Sequence, residues 1–267
     1  MIRPITALAL LVLALLSACV AAPQQQVAAN ESKDRITASD ESDGSKRARV
    51  RLELGTAYFS RGQMATALDQ VKLAIAADPN LGEAFNLRGL IYANLGDDKL
   101  AEESFKRALQ INTRDADTMQ NFGWYLCRHK RYNEANALFT QALAVPQYRD
   151  AARTLLTQGV CQAFAGQTVE AERTLLRSYE LDPSNPSTAV NLSELLYRRG
   201  DYERARFYIR RVNSITEVAS PQTLWLAARI ETKMGNQPEV LVLGNLLRTR
   251  FPDSRESSAF ERGLFDE

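Results

Sequence analysis

Four side chains in this sequence are the natural candidates for covalent or metal chemistry: Cys19, Cys127, Cys161 and His129, the only histidine. A thiol activated by an imidazole needs the two groups within hydrogen-bond reach. Cys127 and His129 lie two residues apart in Cys127-Arg-His-Lys-Arg131, and residues two apart on a helix point to different faces. They do not read as a nucleophile and its base. A lone histidine cannot supply the several ligands of a zinc site, so His129 is expected at the surface near a helix C-terminus. The sequence has no Gly-rich phosphate loop, no metal-spaced histidine cluster and no Gly-x-Ser-x-Gly elbow. The expectation is a protein that is not an enzyme, with no cofactor, no metal and no small-molecule substrate.

Cys19 offers different chemistry. Arg3 is the only charge ahead of an apolar run from Ile5 to Leu16. That run is far shorter than the ~20 residues a spanning helix needs, and suits the apolar region of a signal peptide. It ends in Leu16-Ser17-Ala18-Cys19, which resembles the bacterial lipobox. There a dedicated peptidase cuts before the cysteine, the thiol receives a diacylglycerol, and the new amine receives a further acyl chain. Two or more chains anchor stably where one does not, so a modified Cys19 would not leave its leaflet. Val20 follows, where Asp would favour retention at the inner membrane. The resemblance therefore implies an outer-membrane location on the periplasmic face. The alternative is an ordinary signal peptide that happens to carry a cysteine.

Residues 20 to about 45 are mostly Ala, Gln, Ser, Asp and Glu and cannot bury enough surface to fold. As a flexible tether of that length they would reach roughly 25–30 Å. The expected organisation is a signal peptide at 1–18, lipidated Cys19 and tether at 19–45, a folded body at 46–253 and a tail at 254–267. Across all 267 residues, 33 basic and 32 acidic side chains leave a net charge of +1. That balance gives no electrostatic case for nucleic acid, which needs an excess of cations on one face. Arg198, Arg199, Arg204, Arg206, Arg210 and Arg211 cluster locally and are expected as a solvated helix face.

The body repeats. Gly55, Gly89 and Gly123 share a 34-residue period, as do Ala67, Ala101 and Ala135, and Ala74, Ala108 and Ala142. A 34-residue period with Gly, Tyr, Ala and Pro at set offsets is the tetratricopeptide pattern. With the glycine as eighth position, a slip of two residues near Pro146 resets the frame to Gly159 and Ala171. A fifth unit carries Ser193 and Ala205, and a degenerate sixth carries Ala227 and Glu239 at the two small positions. Asp78-Pro79 and Asp182-Pro183 stop second helices, and Arg61-Gly62, Leu95-Gly96 and Arg199-Gly200 mark the turns between paired helices. The predicted fold is all-α, a right-handed superhelix of about six helix–turn–helix repeats.

In such a stack the first helix of each unit lines a concave face. Counting its second, fifth, ninth and twelfth positions nominates Leu52, Thr56, Phe59, Asn86, Leu90, Trp124, Leu156 and Val160. The expectation is a greasy channel for an amphipathic helix or short extended peptide, with Trp124 and Phe59 as aromatic anchors. The places that would form a carboxylate clamp hold Leu52, Thr56, Leu87, Asp117 and Asn121, so that mode is set aside. Cys127 and Cys161 fall on first helices of adjacent units. In an oxidising compartment a bridge is possible, and two buried free thiols are the alternative.

Three stretches carry a closer resemblance: Leu54-Gly-Thr-Ala-Tyr58, Ala101-Glu-Glu-Ser-Phe-Lys-Arg-Ala-Leu109 and above all Asn121-Phe-Gly-Trp-Tyr-Leu-Cys127. Together with the lipobox they resemble the PilF/PilW group of type IV pilus biogenesis lipoproteins. The resemblance implies a pilotin, which binds subunits of the pilus secretin, takes them to the outer membrane, promotes their multimerisation and supports twitching motility. The competing expectation is a general periplasmic scaffold lipoprotein that organises cell-wall or outer-membrane assembly factors.

Overall fold

The structure is a computed structural model and describes residues 42–265. The expected signal peptide, Cys19, Val20 and most of the expected tether lie outside the described residues. Among those residues there are thirteen helices and no strand. They pair as α1 (Asp43–Ser60) with α2 (Met64–Ala77), α3 (Gly82–Leu95) with α4 (Asp98–Ile111), and α5 (Ala116–Arg128) with α6 (Tyr132–Leu143). Next come α7 (Ala151–Phe164) with α8 (Thr168–Leu181), α9 (Pro186–Arg198) with α10 (Tyr202–Asn213), and α11 (Pro221–Lys233) with α12 (Gln237–Arg250). A short α13 (Arg255–Glu261) closes the stack against α11 and α12. The chain is an all-helical stack of six tetratricopeptide-type pairs. No helix among the described residues is long and apolar enough to cross a membrane.

Local chemistry sets the helix ends. Asp97 and Asp115 cap α4 and α5, each accepting from a backbone N–H three residues on, at 3.1 Å. Ser220 and Thr223 form a capping box at α11, with Pro221 at its first turn. The turn after α3 runs through Gly96 at φ 78°, a left-handed conformation that costs a residue with a Cβ. In the third pair Lys130 makes the equivalent turn at φ 61°, so that unit has no Arg-Gly or Leu-Gly mark in its sequence.

The repeat columns have a direct steric cause. A Cβ added to Gly89 or Gly123 would lie 2.8 Å from the ring of Phe105 or Phe139, and one added to Gly159 would lie 2.6 Å from Leu175. Phe105 and Phe139 are fully buried. The small residue on the first helix thus admits the large one on the second, and the pair closes to core packing density. In the fifth pair Ser193 takes the glycine's place and satisfies its hydroxyl by donating to the Ala205 carbonyl at 2.9 Å.

The sixth pair corrects the expected frame. Ala228 and Val240, not Ala227 and Glu239, stand one repeat on from Ser193 and Ala205, since the turn glycines Gly200 and Gly235 are in step with them. The connection after α10 runs from Ser214 to Ser220 and shifts the register by one. Glu239 is left at the surface, 3.8 Å from Arg210. Segment 254–267, expected as a tail, contains α13. Phe260 covers Gly244 and meets the rings of Trp225 and Phe265 at 6.5 and 5.5 Å, so the last pair's apolar end is closed. At the other end α1 starts at Asp43, ahead of the expected boundary at 46, because Ser42 accepts from the Ser45 N–H as its cap.

The arginine cluster is likewise more than a solvated face. Arg199 and Arg204 both pair with Glu172 on α8, the latter at 2.7 Å. Arg210 lies 3.2 Å from Glu231 on α11. Glu231 is 2% exposed and accepts a second bond from Asn236 at 2.8 Å. A carboxylate this buried needs such partners, so Arg210 ties neighbouring pairs together.

Candidate functional site

The first helices carry a series of hollows, one of which lies between α5 and α7. A cavity of about 300 Å³ opens there, lined by Gln120 and Trp124 from α5, Arg153, Leu156, Thr157 and Val160 from α7, and Asn191 from α9. On the other side of Trp124 a second hollow of about 320 Å³ is lined by Leu90, Ala93 and Asn94 from α3 and by Asn121, Tyr125, Arg128 and His129. Trp124 is the wall shared by both. Its indole is half-buried and lies 6.5 Å from the ring of Phe164, which is 61% exposed. Beyond Val160 a smaller hollow continues to Ala163, Asn191, Glu194 and Arg198.

The structure brings Leu90, Trp124, Leu156 and Val160 together in this stretch. Asn86 is half-buried beneath it, where its side-chain oxygen accepts from Asn121 Nδ2 at 3.2 Å. Leu52 lines a separate hollow near the first pair with Arg49, Thr56 and Leu81. Phe59 packs half-buried against the core of Val71, Leu87 and Ile91 and lines none of these hollows. Cys127 does not face the groove. It is buried and bonded to Cys161, with the Cα atoms 5.9 Å apart. This bridge joins α5 to α7, the two helices that contribute most of the cavity lining.

The expected greasy channel has a mixed lining. Arg153, Thr157, Asn191 and Arg128 border the apolar floor, so the site can hold an apolar side chain while contacting polar or charged groups beside it. Asn191 and Thr157 stand at the sixth position of their units, a register the count above leaves out. Phe164 stands at the thirteenth, and Arg153 at the second.

The titratable groups near the groove are shaped for structure. Tyr125 is buried, and its phenol donates to the Asp98 carbonyl at 3.1 Å. Burial first, and then the charges of Asp98 and Glu102, push it up to about 12, so it stays a neutral donor. His129 Nε2 lies 3.2 Å from Asp98 Oδ1 at the helix end. Among the described residues no cluster of His, Cys, Asp or Glu could hold a metal ion.

Comparison with known proteins defines the family. Tetratricopeptide repeat models match residues 82–115 and 116–145. The type IV pilus assembly protein PilF of Pseudomonas aeruginosa PAO1 is 25% identical over 210 residues, covering 79% of this chain and 83% of PilF. The crystal structure of PilW, a widely conserved type IV pilus biogenesis factor, superposes with a TM-score of 0.74 at 30% identity, over 79% of this chain and 97% of PilW. The chain belongs to the PilF/PilW family of type IV pilus biogenesis proteins. The structure of P. aeruginosa PilF shares the fold, with a TM-score of 0.72 at 23% identity over 83% of this chain and all of that one. PilW and PilF are, like this chain, helical tetratricopeptide-type repeat structures.

Proposed function

We propose that this chain is a pilotin. In this reading it is exported, anchored through lipid on Cys19 at the periplasmic face of the outer membrane, and binds secretin subunits in the groove around Trp124. The lipid carries the pair to the membrane where the secretin multimerises into the pore of the pilus, and twitching motility depends on the result. Kinship with PilW over nearly the whole of that protein is the observation that carries the proposal. The Trp124 groove supplies a surface of the right kind, since half-exposed aromatics in pockets anchor protein interfaces.

A deletion strain tests the role. Outer membranes from it are expected to lack heat-resistant secretin multimers while the monomer is still made. Normal multimer levels would remove the pilotin assignment. The anchor has its own test. Cys19→Ala is expected to leave a folded protein, with unchanged helical circular dichroism, that fractionates with soluble periplasm. Recovery of that variant in the outer membrane would show that something other than lipid holds it there.

A further inference from the structure

Two arginines flank Trp124 with no ion pair or hydrogen bond among the described residues, Arg153 in the cavity between α5 and α7 and Arg128 in the hollow between α3 and α5. Trp124 holds on α5 the place that Glu194 holds on α9, each directly after the small residue of its unit, Gly123 or Ser193. On α9 Glu194 neutralises the arginine four residues later, with Arg198 Nε donating to its carboxylate at 2.9 Å. On α5 the residue four after Trp124 is Arg128. Tryptophan stands where that internal carboxylate would be, and the Arg128 guanidinium makes no ion pair or hydrogen bond among the described residues. Arg153 on α7 acts electrostatically on Asp117 of α5 but forms no ion pair among the described residues. The one carboxylate lining the smaller hollow, Glu194, is already engaged by Arg198.

We infer that the two hollows walled by Trp124 take one acidic peptide segment that crosses it, with one bulky apolar side chain seated beside Trp124, a carboxylate for Arg153 in the α5–α7 cavity and a carboxylate for Arg128 in the α3–α5 hollow. Charge-assisted bonds from a guanidinium fork to a carboxylate are the strong, directional kind. Spacing follows from the repeat. With Trp124 level with Val160, Arg128 lies four residues beyond and Arg153 seven before. Along parallel helices the two cations are therefore offset axially by about 16 Å at 1.5 Å per residue; with the ~8–10 Å between packed helix axes their Cα atoms are about 18–19 Å apart, a difference that the long arginine side chains span. A helical occupant meets both from one face with carboxylates about eleven residues apart, which is three turns.

The inference rests on the secretin reading and names the segment's chemistry. Its test is an array of overlapping secretin peptides, each about fifteen residues long so that three turns fit. Every peptide is paired with a copy in which Asp and Glu become Asn and Gln. The array is probed with the full chain in detergent. Binding is expected at peptides carrying acidic residues on both sides of a large apolar one, and is expected to vanish on the neutralised copies. Arg128→Gln and Arg153→Gln are each expected to weaken it about tenfold, or ~1.4 kcal/mol, and raised salt should weaken it further. Binding that is equal on acidic and neutralised copies, or unchanged in both arginine variants, overturns the inference and leaves the pilotin role standing. An array with no bound peptide also overturns it. Failure of the pilotin role itself is read separately, from normal multimers in the deletion strain.

Discussion

Phe139→Ala is expected to lower the unfolding free energy by about 3–5 kcal/mol. Phe139 is fully buried and fills the hollow left by Gly123 across the α5–α6 interface. Removing the ring empties space that the glycine backbone cannot move in to occupy. Against a total of ~5–15 kcal/mol for a domain, that is a large share. In a stack where each repeat contacts only its neighbours, the loss also weakens the coupling of the third pair to both sides. The measurement is denaturant unfolding followed by circular dichroism, reading the midpoint and the slope. A shift below ~1 kcal/mol with unchanged slope would show that the site collapses around the missing ring. The complementary change, Gly123→Ala, places a Cβ 2.8 Å from that same ring and is expected to cost ~1–3 kcal/mol by overpacking. Combining Gly123→Ala with Phe139→Leu should cost less than the sum of the two separate changes, because each relieves the crowding or vacancy of the other.

Trp124→Ala is expected to abolish most partner binding while leaving the fold intact. Trp124 is half-buried and walls two hollows at once, so its truncation opens both and removes the aromatic surface between them. Central aromatic anchors of this kind are worth ≥2 kcal/mol, or at least ~30-fold in affinity. Unfolding should shift far less than for Phe139→Ala, since the indole keeps one face in solvent. The check is titration of purified secretin periplasmic domain against wild-type and variant protein, with thermal unfolding measured alongside. Unchanged affinity would move the interface away from the α5–α7 groove. Full loss of affinity together with collapse of the thermal transition would mean that the residue is structural.

Most of the fold was legible because its determinants are local and periodic. A small residue at Gly89 or Gly123 opposite Phe105 or Phe139 is a two-body packing rule repeated every 34 residues, and it survives in sequence as columns. The frame of the sixth pair was lost for a reason equally local. One added residue before α11 leaves no residue-type signature, so Glu239 stood where Val240 belongs. The groove was legible only in part. Leu90, Trp124, Leu156 and Val160 could be placed by counting along one helix. Asn191 enters the cavity of α5 and α7 from the next repeat, and its place depends on how far successive units rotate. The partnership of Arg210 with Glu231 is of the same kind. A carboxylate in the middle of α11 gives no hint in sequence that it is buried, or that the cation neutralising it sits on the preceding helix.

The Cys127–Cys161 bridge has a bearing on how this stack comes apart. A one-dimensional array frays from its ends, because terminal units have one neighbour and inner units two. A covalent tie across a 34-residue separation removes roughly 3–4 kcal/mol of disorder from the opened chain, and it does so only for the third and fourth units. Amide protons on α5 and α7 should therefore exchange slowest with solvent water, and slow exchange should fall away toward α1 and α13. Most of the cavity beside Trp124 is built by those same two units. Its geometry is held in the segment that opens last, so the flanking repeats can loosen around an arriving partner while the anchor point keeps its shape.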